Sequence, residues 1–419
     1  MPWVPPYNLL DPDQKDFVDD SNINKNVFIK GFAGTGKSVL LVLKLQKIYE
    51  ENPNAICCVV SFAHSLLEAF RLGFNDTGLD EKIADVIGKN TCMAQQGQID
   101  IVTKYEFKNN QLSDHSINYG YIFFDEVQDV CVSDLQILKQ SKAVFKCIAG
   151  DTNQSIYSHD PQKDTITNMY ESTLKLDDIT NIFAPDELLL TYGHRLTPSV
   201  LACVYNLIPD LKEKLSNEFK VLHTRDVDVL LAQSGDEEDE VAFVYNQALN
   251  LAEDVELTAI LLPMHSWICG FCRSLAQHLN VPWDVEVGRW FGARNYSRIN
   301  EYFKDNGIKM EYVGNEHGSF IHARENNNII LMTYHSSKGM DFQNVFLPFL
   351  SASRYTDSLD NFIPTPLMVA MTRSNYNLAI SYSGEPLNCI SNFKELKECY
   401  YQNIESKEDN ANDSYNLPF

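Results

Sequence analysis

The glycine-rich segment GFAGTGKS, residues 31–38, has the composition and spacing of a loop that binds phosphate groups. Glycines let successive backbone N–H groups turn inward around phosphate oxygens, and a helix that starts there adds partial positive charge. The pattern GxxxxGK[ST] predicts that Lys37 contacts the β- and γ-phosphates of a nucleotide and that the Ser38 hydroxyl ligates Mg²⁺. The residues predicted to surround the phosphates are Gly31, Gly34, Thr35, Gly36, Lys37 and Ser38.

An acidic pair further along the chain could complete a site for phosphoryl transfer. Asp125 and Glu126 follow the apolar run YIFF, and Asp125 lies 125 − 37 = 88 residues after Lys37. A buried strand that ends at such a pair places both carboxylates where open α/β sheets bind their ligands. We expect Asp125 to hold Mg²⁺ through water and Glu126 to polarise the attacking water. Alone, the pair could equally be a helix cap; with the glycine-rich segment it indicates hydrolysis of ATP.

Short apolar runs alternate with helical patterns and supply the strands that these residues need. The alternation predicts an α/β fold with two parallel sheets flanked by helices, in domains at residues 1–185 and 186–405. The first domain has room for only a small insertion, and an acidic, aperiodic tail follows at 406–419. The predicted strands are 26–29, 56–62, 121–124 and 143–149 in the first domain and 257–262, 329–333, 345–350 and 378–382 in the second.

Composition and charge exclude several classes of protein. Hydrophobic residues make up 44% of the 419 residues, which is enough for packed cores. No apolar run approaches the roughly 18 residues of a membrane span, and the N-terminus has no export signal, so we expect a cytoplasmic protein. The net charge is 34 − 57 = −23. Because Lys and Arg supply non-specific affinity for nucleic acid, a strand could be held only in a local groove or with a partner's help.

Two further patterns have structural interpretations. The ten cysteines have no repeating spacing, and the one CxxC pair, Cys269 and Cys272, lies on a predicted amphipathic helix. Free thiols are therefore favoured over a metal or redox site there. The acidic run GDEEDE, residues 235–240, predicts a solvated turn because its like charges repel each other.

The order of the motifs resembles that of the UvrD/Rep-like branch of superfamily 1 helicases. DEVQD at 125–129 has that branch's form of the acidic segment. The further matches are SFAHSLLEAF at 61–70, GDTNQSIY at 150–157, TYGHRLTP at 191–198, MTYHSSKGMDF at 332–342 and VAMTRS at 369–374. The resemblance implies two RecA-like domains of the P-loop NTPase type, with ATP and Mg²⁺ bound between them and single-stranded nucleic acid across both.

The resemblance also assigns roles to individual residues. Gln14 would read the adenine, and His194 stands where many members place a tyrosine against the adenine ring. Residues implied at the γ-phosphate are Gln154, Arg195 and Arg373, and those implied near the nucleotide are Gly339 and Asp341. Residues implied to contact single-stranded nucleic acid are Ser61, Phe62, Thr333 and His335. Outside these motifs, the two arginines would suggest surface ion pairs and His335 a core or capping histidine.

The chain departs from the family pattern in ways that bear on strand separation. From Arg195 to Thr333 there are only 333 − 195 = 138 residues, where processive members insert a large subdomain. After GDTNQSIY the chain continues as SHDPQKD, whereas duplex-unwinding members usually have an aromatic-Arg-Gly segment that stacks a base. Since base stacking contributes about 1–3 kcal/mol per base, its loss would weaken the grip on a strand.

Three functional hypotheses follow. The favoured one is ATP hydrolysis coupled to binding of, or 3′→5′ movement and unwinding along, single-stranded nucleic acid, with DNA favoured over RNA. The alternative is an ATP-driven regulatory or sensor subunit that switches a partner, such as a nuclease in a defence or repair complex, with little unwinding. A degenerate nucleotide-binding scaffold ranks last because every residue required for hydrolysis is present.

Overall fold

Two parallel β-sheets, each in its own unit, organise the chain in the computed structural model. The first unit comprises Met1–His194 with Asn217–Lys220, and the second comprises Arg195–Ser216 with Val221–Phe419. The structure describes residues 3–20, 23, 25–61, 64–84, 92–151, 176–215, 219–223, 225–254, 256–285, 289–290, 293–294, 296–314, 317–355 and 364–404.

The sheet of the first unit has six strands, all parallel. Its strands are β1 (Val27–Gly31), β2 (Cys57–Ser61), β3 (Ile99–Thr103), β4 (Tyr121–Phe124), β5 (Phe145–Gly150) and β6 (Asp186–Leu190), and a short strand, β7 (Tyr192–Gly193), follows. Its helices are α1 (Pro12–Asp19), α2 (Lys37–Glu51), α3 (His64–Thr77), α4 (Lys104–Gln111), α5 (Val132–Gln140) and α6 (Leu176–Phe183). The order across the sheet is β3-β2-β4-β5-β1-β6, so the strands before the glycine-rich loop and before the acidic pair flank β5.

Apolar side chains that point alternately to the two sides of the central strands bury both faces of this sheet. Ile29 and Phe123 pack into one apolar cluster, while their neighbours Phe28 and Phe124 pack into another. Because successive strand residues point to opposite faces, a strand covered by helices on both sides must be apolar throughout. This constraint explains why the runs NVFI and YIFF could be recognised as strands from the sequence.

The second unit has a seven-stranded sheet in which every pairing is parallel. Its strands are β9 (Val229–Ser234), β10 (Thr258–Leu262), β13 (Met310–Tyr312), β14 (Ile329–Thr333), β15 (Phe342–Leu347), β16 (Ser374–Ser383) and β17 (Cys399–Ile404), in the order β13-β14-β10-β15-β16-β9-β17. Further short strands are β11 (Arg289–Trp290) and β12 (Ala293–Arg294), together with β8 (Lys220–Val221), which begins at the last residue of the first unit and ends at Val221 of the second. Its helices are α7 (Pro198–Leu207), α8 (Pro209–Lys214), α9 (Glu237–Glu253), α10 (His265–His278), α11 (Ser297–Asp305), α12 (Phe320–Glu325) and α13 (Pro364–Met371).

The first unit extends further along the chain than the domain boundary predicted at residue 185. β6 pairs with β1 in parallel, from Val27 opposite Asp186 to Gly31 opposite Leu190. The next segment also contacts this unit, since the backbone N–H of His194 donates to the carbonyl of Gly34 at 2.9 Å. The tail predicted at 406–419 lies outside the described residues.

The interpretation of the acidic run 235–240 as a solvated turn was wrong. Asp236 is the N-cap of α9, and its side chain accepts a hydrogen bond from the backbone N–H of Asp239. Acidic residues occupy the first turn, where their negative charge interacts favourably with the partial positive charge of the helix N-terminus. Local like-charge repulsion is therefore offset by the helix that follows.

Among the described residues, no helix is both long and apolar enough to cross a membrane.

The last residue of that run, Glu240, is fully buried in the second unit. Its Oε1 accepts hydrogen bonds from the backbone N–H of Phe349 at 2.7 Å and the hydroxyl of Ser381 at 2.8 Å. Its Oε2 has no hydrogen-bond partner among the residues that the structure describes. Burial, with the nearby charge of Glu237, raises the pKa of Glu240 to about 7. The carboxyl is therefore protonated over a pH range in which an unfolded chain would ionise it.

We predict that the free energy of unfolding contributed by Glu240 falls as the pH rises from about 4.5 to about 7. In that window the folded state keeps the proton and the unfolded state releases it. The free energy of unfolding therefore falls with pH, by up to about 1.4 kcal/mol per pH unit. Urea unfolding of the wild type and of Glu240→Gln, between pH 5 and pH 8, should show the variant gaining stability relative to the wild type as the pH rises.

The matched control is Glu238→Gln, an exposed carboxyl in the same helical turn. Because its side chain is exposed, its difference from the wild type should change much less with pH than that of Glu240→Gln. A Glu240→Gln difference that is equally flat would contradict the buried, protonated state.

Candidate nucleotide-binding site

The glycine-rich loop joins the end of β1 to the start of α2. Gly34 and Gly36 have positive φ angles of 74° and 84°, which L-residues with side chains rarely adopt. A Cβ at Gly36 would lie 2.7 Å from Nε2 of Gln14, and one at Gly31 would lie 2.5 Å from Oγ1 of Thr35. Glycine is therefore required here both for the backbone conformation and for the close approach of neighbouring groups.

The ammonium group of Lys37 is held by the loop itself. Nζ donates to the carbonyl of Gly31 at 2.8 Å and to that of Phe32 at 3.2 Å, and the residue is buried. A buried ammonium needs acceptors, and here the carbonyls of its own loop provide them. Phosphate oxygens in the loop would be stronger, charged acceptors for the same donor.

Ser38 and Asp125, predicted to ligate Mg²⁺, lie next to each other. The Ser38 hydroxyl donates to Oδ2 of Asp125 at 2.5 Å, and the backbone N–H of Glu126 donates to Oδ1 at 3.0 Å. Burial, followed by the charge of Glu126, raises the pKa of Asp125 to about 7, while Ser38 and Lys37 oppose the shift. A cation would stabilise a buried carboxylate that lies beside a second acidic residue. Ser38 and Asp125 together fit such a cation.

The remaining ligands of such a cation would come from the substrate and water. No cluster of three His, Cys, Asp or Glu side chains that could hold a metal occurs within the described part of the chain. Mg²⁺ is commonly bound by one or two protein oxygens together with phosphate oxygens and water. Ser38 and Asp125 could supply the two protein oxygens.

Gln128 connects Glu126 to the end of β5, a link that the sequence did not reveal. Its Nε2 donates to Oε2 of Glu126 at 2.5 Å, and its Oε1 accepts the backbone N–H of Asp151 at 3.1 Å. Glu126 has a φ of 54°, uncommon for a residue with a side chain and characteristic of sites where surrounding contacts hold the backbone. The amide therefore fixes the direction of the Glu126 carboxylate. Gln154, three residues beyond Asp151, lies outside the described residues.

Asp11 connects the two residues that were predicted to contact the adenine. It is the N-cap of α1: its Oδ1 accepts the backbone N–H of Gln14 at 2.9 Å, and its own N–H donates to Oε1 of Gln14 at 3.2 Å. Its Oδ2 lies 2.7 Å from Nε2 of His194, which must carry the proton because an ionised carboxylate only accepts. Gln14 in turn donates from Nε2 to the carbonyl of Thr35 at 3.0 Å. One carboxylate thus holds both side chains beside the loop.

In the second unit, the two predicted arginines converge on one backbone carbonyl. Nη1 of Arg195 lies 3.4 Å from the carbonyl oxygen of Met340, and Nη1 of Arg373 lies 3.3 Å from the same oxygen. Met340 separates Gly339, whose φ is 77°, from Asp341, whose Oδ1 lies 3.5 Å from Nη2 of Arg195. Four residues named from three separate motifs therefore lie together within this unit.

Three of the four residues predicted to contact nucleic acid lie within the described part of the chain. Thr333 ends β14 and is buried, and its hydroxyl donates to that of Ser336 at 2.9 Å. His335 is partly exposed in the turn that follows. Ser61 is buried at the end of β2, and its hydroxyl has no hydrogen-bond partner among the described residues. Phe62 lies outside the described residues, so strand contact at all four positions stays a prediction.

Comparison with known proteins gives a likeness at the level of the fold. No protein-family model matches the chain, and no curated protein matches its sequence. A solved structure of Mss116p, with ssRNA and AMP-PNP bound, aligns over 96% of this chain and 75% of its own length, with 14% identity and a TM-score of 0.51. Together with the two parallel-sheet units, this likeness confirms the predicted RecA-like P-loop fold.

Two further solved structures align with lower scores. The arterivirus nonstructural protein 10 helicase in complex with DNA aligns over 91% of this chain and 65% of its own, with 16% identity and a TM-score of 0.41. The C-terminal domain of a possible DNA helicase from Lactobacillus plantarum aligns over 51% of this chain and 99% of its own, with 12% identity and a TM-score of 0.32. At these TM-scores neither alignment supports a conclusion about this chain.

We predict that Asp11→Ala weakens binding at the base end of the site. It removes the N-cap of α1 and the hydrogen-bond partner of His194, so the affinity for ATP should fall about fivefold, which corresponds to the loss of about one hydrogen bond. Affinity for inorganic tripolyphosphate, measured by calorimetry on the same protein, should stay unchanged. Asp11→Asn, which keeps a capping side chain, should have a smaller effect. An equal loss for tripolyphosphate would show that Asp11 acts on the phosphate loop instead.

Proposed function

We propose that the chain hydrolyses ATP with Mg²⁺ and couples hydrolysis to binding of, and 3′→5′ movement along, single-stranded nucleic acid, with DNA favoured over RNA. The observation that carries the proposal is the contact of 2.5 Å between Ser38 and Asp125, with Lys37 and Glu126 beside it. Phosphoryl transfer needs mainly positioning and charge neutralisation. The groups around the glycine-rich loop match these needs: one hydroxyl, one ammonium and two carboxylates.

Each of these groups has a distinct task in hydrolysis. The Lys37 ammonium would exchange the loop carbonyls for β- and γ-phosphate oxygens. Ser38 and Asp125 would hold Mg²⁺, which would supply positive charge to the phosphates. The Glu126 carboxylate accepts a hydrogen bond from the attacking water and orients it toward the γ-phosphorus. Gln128 keeps that carboxylate in position by donating to Oε2. Because burial raises the pKa of Asp125 to about 7, binding of the cation at neutral or lower pH releases a proton.

The resemblance supports further roles that stay proposals. These are membership of the UvrD/Rep-like branch, γ-phosphate contact by Gln154, Arg195 and Arg373, and strand contact by Ser61, Phe62, Thr333 and His335. The contacts of Arg195 and Arg373 with the same Met340 carbonyl support a shared task, because they hold the two guanidinium groups close together. Mss116p, which has the same fold, was solved with ssRNA and AMP-PNP bound, and this supports coupling of a nucleotide to a single strand.

A second function is favoured by the charge of the chain. The net charge of −23 opposes a broad nucleic-acid surface, and the 138-residue spacing leaves no room for the large subdomain of processive members. The chain would then hydrolyse ATP to switch a partner protein such as a nuclease.

Steady-state ATP hydrolysis, measured alone and with single-stranded DNA or RNA of equal length, separates the two functions. We predict stimulation by a strand, larger with DNA, and a loss of about 10²-fold or more in Lys37→Ala and Glu126→Gln. Hydrolysis that ignores both nucleic acids but still needs Lys37 and Glu126 would favour the partner-switching function. Hydrolysis that survives both substitutions would contradict the proposed roles of Lys37 and Glu126.

A substitution of Gln128 tests whether the amide positions Glu126. In Gln128→Leu the Glu126 carboxylate loses the hydrogen bond from the Gln128 amide, and because small misplacements of a catalytic group are costly, kcat should fall about 10²-fold. KM should change little, since the hydrogen bonds that join Gln128 to the Glu126 carboxylate and to the backbone of Asp151 lie outside the glycine-rich loop. The exposed Gln136→Leu on α5 is the matched control and should retain full activity. A rise in KM with unchanged kcat would contradict the positioning role.

A further inference from the structure

Two cysteines that are far apart in the sequence meet in the second unit. The Sγ atoms of Cys203 and Cys399 are 3.3 Å apart, although the residues are separated by 196 positions. Cys203 lies within α7 and is fully buried, while Cys399 is the first residue of β17 and is partly exposed. Both thiols are free in this structure.

The backbone on both sides of this pair is fixed by secondary structure. Cys399 lies opposite Val229 in the parallel pairing of β17 with β9, and the N–H of Val229 donates to the carbonyl of the preceding Glu398 at 2.8 Å. On the other side, α7 is capped at Thr197, whose side chain accepts the N–H of Val200. The sulfur atoms are therefore held close by a helix and a strand, not by flexible loops.

The surroundings of the pair favour oxidation over metal binding. No third metal-ligating side chain joins the two thiols in a cluster among the described residues. A disulfide needs an S–S distance of about 2.05 Å, so the sulfur atoms must approach by about 1.3 Å from their present contact of 3.3 Å.

We propose that Cys203 and Cys399 form a reversible disulfide when the protein meets a hydroperoxide. The partly exposed Cys399 thiol attacks the peroxide, forms a sulfenic acid and releases one water. The Cys203 sulfur then attacks the Cys399 sulfur, and the hydroxyl leaves with the Cys203 proton as a second water. The two thiols lose two electrons and two protons in total, and one hydrogen peroxide becomes two waters. A dithiol reductant reverses the reaction.

The order of these steps follows from the difference between the two sites. The hydrogen bond to Cys399, together with burial, raises the pKa of the Cys203 thiol, which disfavours its direct reaction with the oxidant. Its attack on the sulfenic acid depends instead on the 3.3 Å contact and on transfer of its proton to the leaving hydroxyl. Cys399 is the partly exposed member of the pair, so we assign the first step to it. The closed bridge would join α7 to β17 across a long stretch of chain, and cross-links of long loops restrict the unfolded state most.

The test uses the full-length protein treated with hydrogen peroxide, alkylated, digested and analysed by mass spectrometry. We expect one peptide pair, joined through Cys203 and Cys399, with a mass lower by about 2 Da than the two free peptides, from the loss of two hydrogens. Treatment with dithiothreitol before alkylation should return both thiols. The bridged protein should also unfold at a temperature higher by about 5 °C or more than the reduced protein.

Variants isolate the pair from the other eight cysteines. Cys399→Ser should abolish the joined peptide and the change in unfolding temperature, whereas Cys269→Ser, on α10, should leave both intact. The wild-type peptide map decides the question even where a variant folds poorly. Oxidation of Cys399 to sulfinic acid with Cys203 still reduced, or a bridge between other cysteines, would overturn the proposal.

Discussion

The hydrogen bond from Ser38 to Asp125 depends on the arrangement of three parallel strands. β1 carries the glycine-rich loop, β4 ends at the acidic pair, and β5 lies between them. Because parallel strands end at one edge, a helix that starts at Lys37 and a carboxylate distant in sequence can meet there. The end of β5 must leave room for this meeting: a Cβ at Gly150 would lie 2.5 Å from Oε1 of Gln128. The position of Glu126 therefore depends on a glycine in a neighbouring strand.

Burial raises the pKa of a carboxyl in this site and of one in the second unit. Asp125 and Glu240 are both fully buried, and burial raises the pKa of each to about 7. Glu240 is bonded by a backbone amide and a serine hydroxyl, and as a neutral acid it needs no cation. Asp125 accepts a hydrogen bond from the Ser38 hydroxyl at the start of α2 and lies beside Glu126, so a cation bound there would favour its ionised form.

The sequence predicted the parts of the fold that repeat a simple pattern. Continuous apolar runs identified β1, β4 and β14, because strands buried on both faces tolerate few polar residues. It missed β3, whose Asp100 is buried and accepts hydrogen bonds from the backbone N–H groups of Met93 and Ala94 and from the Tyr119 hydroxyl. It also missed the start of α9, because repulsion within the acidic run was considered without the helix that offsets it.

The site could be predicted as a set of residues but not as a network. The spacing of the motifs named Lys37, Ser38, Asp125 and Glu126, since each has a local pattern. The links through Asp11, Gln128 and the Met340 carbonyl had no such signal, because each joins segments that are distant along the chain. A backbone carbonyl in particular has no sequence signature. The motif DEVQD does contain Gln128, but only the end of β5 explains the task of its amide.

We propose that Ser38 and Asp125 hold a magnesium ion against a nucleotide bound by the glycine-rich loop. Equilibrium binding of ATP to Glu126→Gln, with Mg²⁺ and with a chelator in its place, tests this claim most directly because hydrolysis does not interfere. We predict that Mg²⁺ raises the affinity for ATP at least about tenfold and that adding Ser38→Ala removes this gain. An affinity that is the same with and without Mg²⁺, or a gain that survives Ser38→Ala, would contradict the claim.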